Sequence, residues 1–288
     1  MAMKRVGHLC LLQIKELLRN PTFYAYLCLF FVYYHYLADG TVRLQQESGL
    51  WVNAWGYAAG VFSNYQSTLA LGLGAVMLFS DLPLVREYAL FEVTRCSRNT
   101  WIGGRILYVG MVSVLYASLL LLLCAFTSRG RLMETSNWGK LLNTLANGYG
   151  FGEYHVPVSL SLEVTQNLTP LAAFGLTVLM SALATAAMGL MMLCLSLIVG
   201  RIGAIAAGCM VAVLDFVIYQ KLPFWCYWLS PLSFTRLSIV YCPKMPYYPT
   251  WQQALVLLLA CNALCMLLAF GLAHCNKAFA KGICKEQY

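Results

Sequence analysis

PLAAFGLTVLMSALATAAMGLMMLCLSLIVGRIGAIAAGCMVAVLDFVIYQ, residues 170–220, decides the class of this protein. Only Arg201 and Asp215 in it carry charge. A hydrocarbon layer about 30 Å thick is crossed by about 20 apolar residues as a helix. The stretch therefore holds two spans, about 170–199 and 203–220, joined by the turn Gly200-Arg201-Ile202. Working outward, the same reading finds further spans at about 22–38, 60–80, 105–127 and 251–273, six in all. The spans at 60–80 and 203–220 are less hydrophobic than the rest, so their ends are soft.

Composition agrees. Of 288 residues, 60% are hydrophobic and 10% charged, with a mean hydropathy of +0.68. A soluble domain carries roughly a quarter charged residues, and here the apolar residues come in long blocks with short polar breaks. A soluble globule, a disordered chain and a disulfide-rich secreted module are excluded, leaving an all-α polytopic membrane protein. The net charge of +8 reads as basic residues flanking spans, because no basic stripe or nucleic-acid motif occurs. With the N-terminus inside, twelve Lys and Arg fall inside and seven outside. The positive-inside rule then puts both termini in the cytoplasm. The first twenty residues have neither an unbroken apolar stretch nor a small-residue cleavage site, so no cleavable signal peptide is expected.

Residues 4–19 precede the first span. At helical spacing Val6, Cys10, Ile14 and Leu17 make one stripe, opposed by Lys4, His8, Lys15 and Arg19. This pattern predicts an amphipathic helix lying in the cytoplasmic interface, ended by Pro21. The outer segment 128–169 is long and of mixed polarity. The outer segment 221–250 is crowded with Trp, Tyr, Phe and Pro, too apolar for a free loop, and predicts short re-entrant helices dipping into the outer leaflet.

The cytoplasmic loop 81–104 reads DLPLVREYALFEVTRCSRNTWIGG. Leu84, Tyr88 and Phe91 repeat at helical spacing, and Glu92 can pair with Arg95 one turn on. Residues 84–96 read either as a rigid interfacial lever for a cytosolic partner or as a solvated linker. Asp215 is an acid inside an apolar run, where charge is costly. It reads either as a polar contact in an exit path or a subunit seam, or as structural, one half of an ion pair with Lys221 or Arg236 or simply a position near the outer interface. Phe30, Tyr34, Phe216 and Tyr219 belong to an aromatic set that could line a path for amphipathic molecules, or simply face lipid. Ser181, Thr185 and Gly189, with Ala204 and Gly208, predict close packing of the spans at 170–199 and 203–220. Six of the twelve cysteines, Cys28, Cys124, Cys194, Cys209, Cys261 and Cys265, sit in apolar runs. Cys226 and Cys242 share the outer segment and are the candidate disulfide. His8, His35, His155 and His274 lie far apart, so no metal site is expected, and neither HExxH nor GxSxG occurs.

Arg86-Glu87, Phe91-Glu92, Ser97-Arg98 and Ile102-Gly103-Gly104-Arg105 together resemble the signature of the type-two permeases of ATP-binding-cassette exporters. Leu229-Ser230-Pro231-Leu232-Ser233-Phe234 is similar to that family's Pro-Leu motif before the last span. The sequence departs from the pattern at Tyr88-Ala89-Leu90 and at Arg95-Cys96. The resemblance implies a single permease domain over 1–288 in the cell membrane. Arg86, Glu87, Phe91, Glu92, Arg95 and Arg98 would couple it to a cytosolic ATPase, present in two copies and carrying the ATP and Mg. The complex would include a second permease chain, identical or related. In relatives, spans one, two and five surround the substrate path. This chain has no GxxxxGK[ST] loop, so ATP hydrolysis is not expected of it. A membrane sensor or immunity protein, and less so an intramembrane enzyme, are the alternatives.

Overall fold

The computed structural model describes residues 2–82, 97–132, 135–148, 154–241 and 248–274. It is 82% helical, with no strand among the described residues. In chain order the helices are α1 (Ala2–Arg19), α2 (Pro21–Ser48), α3 (Ala54–Phe62), α4 (Tyr65–Phe79), α5 (Arg98–Thr127), α6 (Gly139–Ala146), α7 (Leu162–Asn167), α8 (Pro170–Ile198) and α9 (Arg201–Lys221). Two 3₁₀ turns follow, Phe224–Leu229 and Ser233–Thr235, then α10 (Leu237–Val240) and α11 (Trp251–His274). Among the described residues four helices, α5, α8, α9 and α11, are long and apolar enough to cross a membrane, so the chain reads as a membrane protein. α4 is apolar but has only 15 residues, and α2 is long but rich in tyrosine and ends in charged residues.

α8 is the axis of the bundle, packing against α5, α11, α9, α3 and α4. Its start is set by Thr169, whose hydroxyl accepts from the Ala172 N–H, with Pro170 in the first turn where its missing N–H is harmless. Its end is set by Gly200, whose φ of +95° suits a residue without a Cβ. Interhelical polar contacts tie α11 to this axis. Asn262 Nδ2 donates to the Leu183 carbonyl at 3.0 Å, and the Cys194 thiol lies 3.3 Å from the Cys265 carbonyl.

Element ends differ from the hydropathy reading in three places. α2, which holds the first expected span, runs ten residues past the expected 38, because Asp39 and Arg43 pair one turn apart and extend it as a polar helix. The expected 60–80 span is interrupted at Ser63-Asn64. The Ser63 hydroxyl takes the Ala59 carbonyl, and the Asn64 side chain caps the new helix at Gln66. α5 starts seven residues before the expected 105, where the Ser97 side chain accepts from the Thr100 N–H. Hydropathy marks apolar content, whereas capping groups mark where a helix starts and stops.

α3 is almost wholly buried. The segment after α5 covers it: a Cβ on Gly56 would meet Trp138 and Leu142 at 2.9 Å, and one on Gly60 would meet Val158 at 2.5 Å. Trp138 Nε1 and Trp55 Nε1 donate to the Leu168 and Leu132 carbonyls, both at 2.8 Å, pinning this cover. The described parts of 128–169 thus form a packed cap on one end of the bundle, opposite the end that carries α1.

α1 is amphipathic and docks on the first turns of α5. Gly103 and Gly104 make the seat: Cβ positions there lie 3.7 Å from Val6 and 3.2 Å from Leu9. Leu9, Cys10 and Gln13 are buried against α5, while Leu11, Leu12 and Leu18 are exposed. The expected stripe therefore packs partly on protein, and a second set of leucines makes the outward apolar face. Arg105 is fully buried under α1, its guanidinium 5.2 Å above the Trp101 ring and bonded to the Gln13 amide oxygen from Nη1 at 3.0 Å.

Candidate functional site

α2 stands apart from α4 and α9 and leaves an apolar cleft of about 840 Å³ between them. Tyr26, Phe30 and Tyr33 of α2, Leu73 and Met77 of α4, and Cys209 of α9 line it. At the α1 end the cleft shares Tyr26, Met77 and Ser80 with a recess of about 250 Å³. There Arg201 Nη2 meets Asp81 at 2.6 Å and Arg201 Nε donates to the Ser80 carbonyl at 3.0 Å, tying the end of α4 to the start of α9. At the capped end the cleft shares Tyr36 with a polar recess of about 780 Å³, whose walls include Asp39, Arg43, Glu47, Asn64, Tyr154 and His155. The three spaces lie side by side along α2, an apolar cleft with a polar recess adjoining it at each end.

The sequence-predicted path residues divide. Phe30 lines the cleft. Tyr34 lies behind it, fully buried and stacked on Phe62 at 5.6 Å. Phe216 and Tyr219 pack on Tyr65, with ring centroids at 5.8 and 4.2 Å, outside the cleft lining. Asp215 is fully buried and held by two groups of the following segment: the Ser233 hydroxyl donates to Oδ1 at 2.6 Å and Arg236 Nη2 at 3.2 Å. The Arg236 guanidinium also lies 5.8 Å from the Tyr219 ring and 5.1 Å from the Tyr227 ring. Of the two ways to read Asp215, the geometry matches the ion pair with Arg236. Asp215 Oδ2 and Arg236 Nε make no hydrogen bond, so the buried pair is only partly satisfied.

Arg86, Glu87, Phe91, Glu92 and Arg95 lie outside the described residues. Arg98 is exposed in the first turn of α5, directly after the capping Ser97. Cys226 is a buried free thiol, and Cys242 lies outside the described residues. Of the Pro-Leu segment, Leu232 fills the space beside Gly72 of α4, and Ser233 grips Asp215. Gly208 of α9 packs on Met192 of α8, as the small-residue pattern predicts, but Gly189 of α8 faces Phe79 of α4 and Val109 of α5 instead. Among the described residues no three His, Cys, Asp or Glu side chains converge on a metal position.

Sequence reasoning missed the polar recess, because it ended the first span at 38. Its signal was there: Asp39, Arg43 and Glu47 continue the helical period beyond the apolar run. The facing residues, Tyr154 and His155, come from a loop that no local pattern connects to α2. This chain matches no family model, no curated protein and no solved structure.

Proposed function

We propose that this chain is the permease subunit of an ATP-driven exporter that moves an amphipathic molecule, such as a hydrophobic drug, a peptide or a lipid-like compound, out of the cell. The observation that carries the reading is the groove between α2, α4 and α9. In the six-span reading these are spans one, two and five, the set that the resemblance makes the substrate path. α3 and α4 together then serve as the second span, and the 3₁₀ turns at 224–235 as the re-entrant outer segment. A sensor needs a site with one opening, whereas this groove has a polar recess at each end, which favours passage.

In this reading the chain sits in the cell membrane with both termini inside, and the capped end faces out. The chain performs no covalent step. It supplies two alternating shapes, and a partner shifts their balance. Two copies of a cytosolic ATPase bind ATP and Mg and push on residues 84–96 through Arg86, Glu87, Phe91, Glu92, Arg95 and Arg98. A second permease chain completes the groove. The docked α1, with its outward leucines, supports an interfacial helix that transmits the push to α5 through Gly103 and Gly104.

The test is affinity purification of the full chain in mild detergent with mass spectrometry of stoichiometric partners. The expected result is a cytosolic protein with a phosphate-binding loop at one copy per permease. In that complex Glu92→Lys should abolish substrate-stimulated ATP hydrolysis without lowering the amount of folded permease. Purification of a stable chain with no ATPase overturns the reading, as does full stimulation in the Glu92→Lys variant.

A further inference from the structure

The groove changes character at Tyr36, and that change carries information about what fits. Below Tyr36 the cleft wall is aromatic and aliphatic. Above it, Asp39, Arg43 and Glu47 stand on successive turns of α2, facing Asn64, Gln66, Tyr154 and His155. The wall is brought close by Gly40, where any Cβ would overlap the Tyr154 carbonyl. The charges do not cancel. Arg43 Nη2 pairs with Asp39 Oδ2 at 2.7 Å. Glu47 accepts a short hydrogen bond from the neutral Tyr154 hydroxyl and has no ion pair among the described residues. Among the described residues of the lining, two carboxylates, Asp39 and Glu47, therefore stand against one guanidinium and the His155 imidazole, beside two aromatic rings, Tyr154 and the largely exposed Tyr36.

We propose that this recess selects a cationic headgroup, so that the groove takes single-chain amphiphiles carrying an ammonium group. The proposal rests on reading the groove as a substrate path. A carboxylate beside aromatic faces is the chemistry that holds quaternary ammonium ions, through Coulomb attraction and cation–π contact. An anionic head would meet Glu47, and Arg43, the one Lys or Arg among the lining residues, is already paired with Asp39. The tail follows the apolar cleft from Tyr36 back to Tyr26, ten residues of α2 or about 15 Å of helix, room for a dodecyl chain. Both spaces fall within the roughly 300–1,000 Å³ of sites for small ligands.

The test uses the full chain in nanodiscs of zwitterionic lipid and three dodecyl probes: dodecyltrimethylammonium, dodecanoate and dodecanol. Binding is read by intrinsic fluorescence against empty nanodiscs. The trimethylammonium probe should bind tightest, and its affinity should fall with added salt. Asp39→Asn and Glu47→Gln should weaken it about three- to tenfold, and Arg43→Gln should tighten it by a similar factor. Dodecanol affinity should not change in any variant. The opposed signs separate a charge effect from misfolding, which would weaken all probes together. Equal affinities for the three heads overturn the proposal, as does a change of the same sign in Asp39→Asn and Arg43→Gln. Failure of the exporter reading looks different. The charge-dependent binding then persists, but no ATPase accompanies the chain. Conversely, a co-purified ATPase stimulated equally by all three probes upholds the exporter and removes the headgroup selectivity.

Discussion

α8 and α9 are neighbours in sequence, and although α9 is the less hydrophobic over its whole length, their most apolar 18-residue stretches are nearly equal in hydropathy; yet 67% of that stretch is buried in α8 against 28% in α9. In water, burial follows hydropathy, because apolar surface is driven inward. In a bilayer the lipid tails are as apolar as leucine, so hydropathy does not sort core from surface. Small residues are one factor, since they let neighbouring helices approach closely. α8 buries Ala184, Thr185, Ala187 and Gly189, which admit neighbouring backbones on several sides. α9 buries Ala204, Gly208, Ala212 and Asp215 on one face and exposes Ile202, Met210, Val213 and Val217 on the other. Asp215 is the exception that shows a second sorting force, since a carboxylate goes where its cation is.

That exception should produce the largest effect. Asp215→Leu or Arg236→Met alone leaves a buried charge unpaired and should cost about 3–5 kcal/mol of stability, while the double variant should recover most of it. Equilibrium unfolding in mixed micelles measures both. A double variant no better than the singles would show that Arg236 has another essential partner. Next comes the crowded α8. A Cβ on Gly189 meets Val109 at 2.8 Å and Phe79 at 2.9 Å, so Gly189→Leu should cost about 1–3 kcal/mol in the same assay. The α5 start is intermediate: Ser97→Ala removes the bond to the Thr100 N–H and should cost about 1 kcal/mol.

Smaller still is the bridge between α9 and α4. Arg201 and Asp81 are about half exposed, so Arg201→Gln should cost under about 1 kcal/mol, and less in high salt. The smallest effect is expected on the outward face of α9, where Met210 is 76% exposed. Met210→Ala should stay within about 0.5 kcal/mol in the isolated chain. A loss above about 1 kcal/mol, present only at high protein concentration, would show that a second chain covers this face and that α9 is a buried helix after all.

The spans at 170–199, 203–220 and 251–273 were legible almost to the residue. Two have clear end signals, Thr169-Pro170 and Gly200 around α8 and Trp251 at the start of α11, while the soft ends of 203–220 fall within two residues of those of α9. The amphipathic α1 and its break before Pro21 were equally plain. The break in the expected 60–80 span was not, because it depends on how Ser63 and Asn64 use their side chains. The candidate site was legible only in part. Phe30 was found, but Tyr34, Phe216 and Tyr219 were grouped with it by residue type, and orientation separates them.

The amino-acid sequence by itself determined that this is a helical membrane protein, where its long apolar helices lie, and that an acid is embedded in one of them. These follow from local quantities, the run of apolar residues and the 3.6-residue period. Tertiary structure alone decided which helices form the core, that Arg236 rather than Lys221 holds Asp215, and that α2 stands off α4 and α9 to open a groove between two polar recesses. Those outcomes depend on contacts between segments far apart in the chain, where side-chain size and charge pairing, rather than hydropathy, choose the neighbours.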